Sequence, residues 1–348
     1  MDSLNQDRWK SETTSTYIDE VKECVVDLLN VTVDKVYSFN GKSANEIYKV
    51  VTQDNCFIVK IFSYPYIEPG MAKGAGYTQR VLAGETDFVP DNYFIGEYGD
   101  IPYVIHISEY IDSHTYSQDW RYVFDSDKQK EMVSSLGKLL SELQASYSFN
   151  SDGEVVGYSE DSGFEIRADS WEQTIRQIFN RRRDHSYKVD VVDNSCIDEL
   201  ISTVEPIVDS WSIEYTDSVL CHNDIRIPNV TVEKEKVPMC LVDWDNVAIG
   251  DWVFGFSRAE YTVSNKPSRK KISRDEAKES FREGFFENSE NDSLPDRYYI
   301  YRALSILQEV RSFEYWYQNK SQDFKSEQKQ WLESEIYRLE KTIQNKDL

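Results

Sequence analysis

The chain of 348 residues carries 39 Lys and Arg against 62 Asp and Glu, a formal net charge of −23. Such a deficit argues against partners bound through phosphate neutralisation, because nucleic acid or an anionic membrane surface is repelled by most of this chain; cationic or neutral ligands are favoured. With 40% apolar and 14% aromatic residues, the chain has material for a sizeable core in one large domain or two.

From Tyr17 to Leu29, Ile18, Val21, Val25, Leu28 and Leu29 recur at helical spacing, and Val33 to Phe39 reads as a strand. After the polar turn Asn40 to Asn45, Ile47 to Thr52 and Phe57 to Phe62 form two strands joined by Gln53-Asp54-Asn55, good hairpin chemistry. Met71 to Ala83 is expected to be a helix, followed by strands at Tyr93 to Gly96 and Tyr103 to Tyr110. Beyond Asp112 the pattern is helical over Lys128 to Tyr147, Ser170 to Arg183 and Cys196 to Trp211, interrupted by the Gly- and Ser-bearing stretch Asn150 to Gly163. One strand pair, Val230 to Glu233 and Met239 to Asp243, precedes helices at Asp296 to Gln318 and Ser326 to Ile343. The expected fold class is α+β, a small β-rich N-terminal lobe (1–110) followed by a larger, mainly helical lobe (111–348). The five cysteines form no C-x-x-C pair and read as reduced thiols of a cytoplasmic protein. No apolar run approaches the roughly 20 residues of a membrane span, and the polar N-terminus reads as unprocessed.

Chemistry concentrates between Val219 and Gly250, where His222, Asp224 and Asn229 stand in the spacing H-x-D-x-x-x-x-N. An acid after an apolar strand can accept a hydroxyl proton, and an amide five residues on can reach a metal that the acid only approaches. Asp243 ends the apolar run Met239 to Val242, so a strand delivers a second oxygen ligand for Mg²⁺ to the same place. The bland alternative is a buried His222 with Asp224 and Asn229 as turn residues.

The run from Val219 to Asp251 resembles the catalytic and metal-binding segments of the aminoglycoside phosphotransferase and choline kinase-like family, small-molecule relatives of the protein kinases. The family's H-G-D-x-x-x-x-N, I-D-W and G-D stand here as His222-Asn223-Asp224 with Asn229, Val242-Asp243-Trp244 and Gly250-Asp251. The resemblance implies a protein-kinase-like two-lobed fold, Asp224 as catalytic base, and Asn229 and Asp243 as Mg²⁺ ligands. Asn40 to Asn45, with Gly41 and Ser43, resembles the loop that covers the nucleotide, although a plain hairpin turn has the same composition. Lys60 is a lone cation in the apolar strand Phe57 to Ile61 and needs a partner charge or a cleft; the α- and β-phosphates of ATP or GTP would supply it. Ile105 to Asp112 resembles the hinge between lobes, with backbone groups from Glu109 to Ile111 against the adenine edge. Leu136 to Leu143 resembles a family helix that normally ends in Leu-His, with Gln144 in place of the histidine.

Three departures stand out. Met71 to Gly84 contains no acid to pair with Lys60, Gly255 occupies the second acid of G-D-P-x-x-D, and Trp252 replaces the proline. They motivate a competing reading, a weak or inactive pseudokinase-like nucleotide-binding protein. A metal-dependent hydrolase using His222, Asp224 and Asp243 is a third class, poor in further histidine ligands. The leading expectation is transfer of a γ-phosphoryl group to a hydroxyl of a small molecule, with the acid excess compatible with a cationic aminoglycoside-like or amino-alcohol acceptor. Asp245 and Asp251 stand either toward the acceptor or in loop and capping work. Arg181 to Arg183 and Lys266 to Lys271 read as solvated surface, Ser273 to Glu276 as a capping box, and Phe313, Tyr315, Trp316 and Tyr317 as helix packing or a cage for the acceptor.

Overall fold

The computed structural model describes residues 9–11, 17–39, 45–63, 69–111, 114–115, 125–147, 149, 152–159, 163–167, 170–189, 192–209, 218–225, 229–232, 240–264, 271–287, 294–317 and 321–345. An antiparallel sheet of six strands opens the chain: β1 (Trp9–Ser11), β2 (Val33–Phe39), β3 (Glu46–Thr52), β4 (Cys56–Ile61), β5 (Asn92–Tyr98) and β6 (Ile101–Glu109), in the order β1-β2-β3-β4-β6-β5. Side chains alternate between faces, so Phe57, Val59 and Ile61 of β4 join Ile105 and Ile107 of β6 in one apolar core. Helix α1 (Ile18–Leu29) covers that core with Val21, Cys24 and Val25, spaced three and four apart as one helical face requires. The same alternation turns Lys60 to the opposite face, directly across from His106 on β6.

Helix α2 (Pro69–Ala83) lies on that second face. It also reaches a strand absent from the sequence reading, β8 (Gly153–Ser159), which pairs with β9 (Gly163–Arg167). The approach is close enough that a Cβ on Gly74 would fall 2.5 Å from the Val155 carbonyl oxygen, so only glycine fits there. Tyr77 of α2 stacks on Tyr158 of β8 with ring centroids 5.8 Å apart, and Leu82 enters the core of the helical part.

The second part holds α3 (Ser126–Ala145), α4 (Trp171–Ser186), α5 (Asn194–Asp209), α6 (Trp252–Ser264), α7 (Arg274–Phe285), α8 (Arg297–Tyr317) and α9 (Gln322–Gln344). Short strands complete it: β7 (His114–Thr115), β10 (Val219–Cys221), β11 (Val230–Val232), β12 (Cys240–Leu241) and β13 (Ala248–Gly250). They form two sheets, β10-β13-β8-β9 and β12-β11-β7. The stretch 150–163, read as an interruption between helices, is thus largely strand. Gly153 at φ +139 and a register shift between Val155 and Gly157 break the even alternation by which a strand is recognised. Helix α6 likewise shows no alternation of apolar and polar faces in the sequence, because it is buried on nearly every side, Ser257, Glu260 and Ser264 included.

Local signals were otherwise obeyed: Asp125 and Ser170 cap α3 and α4, and Ser273 and Glu276 form a capping box on α7. Trp171, Trp244, Tyr261, Tyr301 and Phe256 are buried in the helical core, each worth about 1.5–3 kcal/mol of apolar burial. Phe313 belongs to that core; the side chains of 315–317 lie outside the described set. Arg182 donates to the Leu304 carbonyl and Arg183 pairs with Asp184 and Glu205, so part of the arginine run ties helices together. No helix among the described residues is long and apolar enough to cross a membrane.

Candidate active site

Strand β10 carries the chain into His222, Asn223 and Asp224, and β11 leaves from Asn229. Register decides the next step. Val230 pairs with Leu241, and the Val242 N–H donates to the Asn229 carbonyl at 2.9 Å, which brings Asn229 beside the residue preceding Asp243. The two segments are braced further by His222, whose Nε2 lies 3.1 Å from the Val242 carbonyl oxygen while the Asp224 N–H points at its Nδ1 from 3.4 Å. Both contacts are satisfied by the neutral Nε2–H tautomer. His222 is fully buried against Trp244 and acts as a brace, with neither ring nitrogen left for a metal.

Asn223 stands where the family pattern has glycine. Its φ of +58° explains why: the loop needs the left-handed region, which asparagine tolerates best after glycine. Its side chain donates to the Asn246 carbonyl at 2.9 Å, a second tie between the two loops. Asp243 is also left-handed, at φ +70°, and such backbone strain is concentrated at sites that must hold a fixed geometry.

Asp224 and Asn229 are in direct contact. The Asn229 Nδ2 donates to the Asp224 carbonyl and to its Oδ2, both at 3.0 Å. With its amide hydrogens so directed, Asn229 keeps Oδ1 as the acceptor for a cation. Asp243 adds a carboxylate, and this all-oxygen pair suits Mg²⁺, which completes its shell with water and substrate phosphates.

Lys60 crosses from the sheet to meet this loop. Its Nζ lies 2.7 Å from Asp243 Oδ1 and 2.6 Å from Asp245, and the Asn45 Nδ2 also donates to Asp245 at 2.9 Å. Burial opposes the lysine's charge, but the two carboxylates outweigh it and hold its pKa above the usual lysine value. Burial also pushes the Asp245 carboxyl above the usual carboxylate range, aided by Asp243 and opposed by Lys60. Here the carboxylate that the sequence failed to show on α2 is supplied by the loop of Asp243 and Asp245. Other polar groups near Lys60 in sequence are engaged elsewhere or undescribed: Gln79 within α2 donates to the Pro90 carbonyl, Glu85 beyond it accepts from Tyr147, and Glu68 before it lies outside the described residues. The room beside Lys60 on the α2 side is filled by His106, whose Nε2 bonds the Ala72 carbonyl at 2.8 Å.

Other expectations separate cleanly. Glu109 ends β6, its N–H donates to the Asp91 carbonyl, and that of Tyr110 donates to Cys56; Ile111 follows on the second-part side. Gly41 and Ser43 lie outside the described residues. Asp251 is fully buried, caps α6 through the Val253 N–H and binds Arg297 and Tyr301, so it serves structure. Gln144 and Gly255 prove to be neighbours: a Cβ on Gly255 would lie 2.9 Å from Gln144 Nε2, which donates to the Trp252 carbonyl. The two departures from the family pattern are one local rearrangement. Arg258 of α6, absent from the sequence-based expectations, places Nη2 4.0 Å from Asp224 Oδ1; its signal is that it is the only cation in a segment of mostly buried residues.

The profile of the phosphotransferase enzyme family matches residues 36–296. No curated protein matches the chain by sequence. The fold is similar to that of aminoglycoside phosphotransferase APH(4)-Ia, with a TM-score of 0.63 at 12% identity over 93% of this chain and 98% of that one; a thermostable mutant of that protein is known as a ternary complex with ADP and hygromycin B. Spectinomycin phosphotransferase APH(9)-Ia, in complex with ADP and spectinomycin, gives 0.57 at 14% identity over 94% and 99% of the two chains. A putative fructosamine-3-kinase from Haemophilus somnus gives 0.56 at 13% identity over 92% and 96%. At such identities the likeness shows a shared kinase-like fold.

Proposed function

The chain belongs to the phosphotransferase enzyme family, and on that premise we propose that it moves the γ-phosphoryl group of ATP or GTP to a hydroxyl group of a small molecule. The observation that carries this reading is the meeting of Lys60 with Asp243 across the two parts of the molecule, 183 residues apart in sequence, beside the Asp224–Asn229 contact. In the reaction the acceptor oxygen forms a new bond to the γ-phosphorus, the bond to the bridging oxygen breaks with its electron pair on the nucleoside diphosphate, and the hydroxyl proton passes to Asp224. Asp224 orients the hydroxyl. Lys60 holds the α- and β-phosphates, with the backbone around Gly41 and Ser43 covering them. The adenine or guanine edge meets backbone groups of Glu109 and Ile111, with the Glu109 and Tyr110 N–H groups already paired.

Asn229 and Asp243 would hold Mg²⁺, which supplies charge neutralisation at the phosphates when bound. Residues 1–110 serve as the nucleotide lobe and 111–348 as the catalytic and acceptor lobe. A cytoplasmic setting is supported by five free thiols. The acid that Asp245 offers to Lys60 favours an active enzyme over an inactive nucleotide-binding relative, since the missing helix acid was the chief reason to doubt turnover. The engagement of both His222 nitrogens likewise disfavours a metal-dependent hydrolase.

The test is acceptor-dependent consumption of ATP or GTP with magnesium over a panel of hydroxyl compounds. Asp224→Ala is expected to lower turnover by about 10²–10⁴-fold with an unchanged unfolding midpoint. Undiminished transfer in that variant would sink the assignment. The overall charge favours a cationic aminoglycoside-like or amino-alcohol acceptor, but the charge beside Asp224 is of the opposite kind.

A further inference from the structure

We infer that the acceptor carries an oxyanion, a carboxylate or a phosphate, close to the hydroxyl that is phosphorylated, and that Arg258 receives it; this deepens the phosphotransferase reading and rests on it. Arg258 projects from α6 with its side chain only 14% exposed. Its Nη2 stands 4.0 Å from Asp224 Oδ1, beyond hydrogen-bond reach, and its Nη1 is buried with no hydrogen bond among the described residues. A guanidinium cannot shed its proton to relieve this, and its fork of donors matches the two oxygens of a carboxylate or phosphate.

The surroundings from the neighbouring helices carry the same sign. Tyr261, one turn further along α6, is influenced by Glu309 of α8 and, in the opposite sense, by Arg302 of α8, Arg258 and Arg274 of α7. Arg302 lies over the Tyr261 ring, 4.6 Å from its centroid. Yet Arg302 and Arg274 pair with Glu260 and Glu335. Among the described residues, the ion-pair neighbour that remains to Arg258 is Asp224, the group that must receive the proton. A hydroxyl bound at Asp224 therefore lies beside a guanidinium that stands 4.0 Å from the carboxylate holding it. A cationic substituent there would be repelled, whereas an oxyanion would complete the guanidinium's unmade bonds. In a chain of net charge −23 the overall field does not draw an anion in, so recognition has to come from a local cation of this kind.

The experiment compares glycerate, gluconate and glycerol 3-phosphate with glycerol and glucose, and with ethanolamine, choline and hygromycin B, at saturating nucleotide and magnesium. At least one anionic hydroxyl compound is expected to exceed its uncharged counterpart at least about 100-fold in kcat/KM, carboxylates and phosphates being separated by the two arms. Arg258→Gln should erase most of that margin while the KM for nucleotide stays within about twofold, and Arg258→Lys should restore part of it. Calorimetry without nucleotide or metal should show the preferred anion bound by the wild type and not by Arg258→Gln. Raising salt from 0.02 to 0.3 M should raise kcat/KM for the anion, because the repulsive field is screened while the buried contact is not. Phosphorylation of the amino alcohols or hygromycin B in preference to every anion would overturn the inference and leave the phosphotransferase reading standing. So would an Arg258→Gln variant that loses all acceptors equally, which would make Arg258 a support of Asp224. Failure of the broader reading looks different: no compound of any charge is phosphorylated and no nucleotide binds, and the inference falls with it.

Discussion

In the N-terminal sheet Lys60 and His106 face each other across adjacent strands, and each finds its partner outside the sheet, Lys60 on the loop of Asp243 and Asp245, His106 at a carbonyl of α2. The helical part buries charge too, but closes it locally: Glu260 of α6 meets Arg282, Arg302 and the Tyr298 hydroxyl, and Glu335 of α9 meets Arg274, Arg302 and Arg338. A buried ion pair is by itself weak evidence for anything. What separates the two groups is where the partner lives. Charges answered within one packed layer hold that layer together, whereas a cation held in place across two parts of the chain marks a place where a ligand can join it.

The contrast can be broken experimentally. Glu260→Ala takes from Arg302 one of its two acids, and from Arg282 and the Tyr298 hydroxyl the carboxylate they share, and should cost about 3–5 kcal/mol by denaturant unfolding, with nucleotide affinity of the folded protein unchanged; a loss below about 1 kcal/mol would erase the distinction. Asp245→Asn removes one of two carboxylates from Lys60 and should weaken nucleotide binding about tenfold, or about 1.4 kcal/mol, with the smaller effect on unfolding. Were that order reversed, Lys60 would belong with the structural pairs.

His106 sharpens the comparison through pH. Burial, reinforced by Lys60, lowers its pKa from 6.5 to about 3, so the native state holds it neutral. Its contribution is fully present above pH 6.5 and is lost as pH falls toward 3, with a slope approaching about 1.4 kcal/mol per pH unit. Urea midpoints at pH 7.5, 6.0 and 5.0 should show this decline, and His106→Gln should flatten it. The smallest effect belongs to Lys128→Ala, whose exposed partner is Glu131; about 0.2–0.5 kcal/mol is expected.

Much of this was legible beforehand because the residues that meet are each announced by an apolar strand. Lys60 interrupts one, Asp224 follows one, and Asp243 ends one. Asp245 could be named but not assigned, since its partner is 185 residues away and the pairing depends on how two sheets are set against each other. Arg258 is faint in the sequence for a different reason. Helix α6 is buried on nearly every side, polar residues included, so no separate face marks a functional cation. Gln144 and Gly255 looked like two separate losses because no periodicity links positions 111 residues apart; their contact shows an amide occupying the space a side chain at 255 would need. The hairpin β8-β9 was hidden by the glycines that let it bulge.

That hairpin has a mechanical consequence. Helix α2 rests on the sheet at β5 and β6 and on β8 at the same time, with Gly74 against the Val155 carbonyl and Tyr77 stacked on Tyr158. The segment after α2 is tied to the helical part as well, the Leu241 N–H donating to the Phe88 carbonyl at 2.7 Å and the Tyr147 hydroxyl to Glu85. The link from Lys60 to Asp245 is therefore one tie among several, and the one that a bound phosphate could join while the others keep their places.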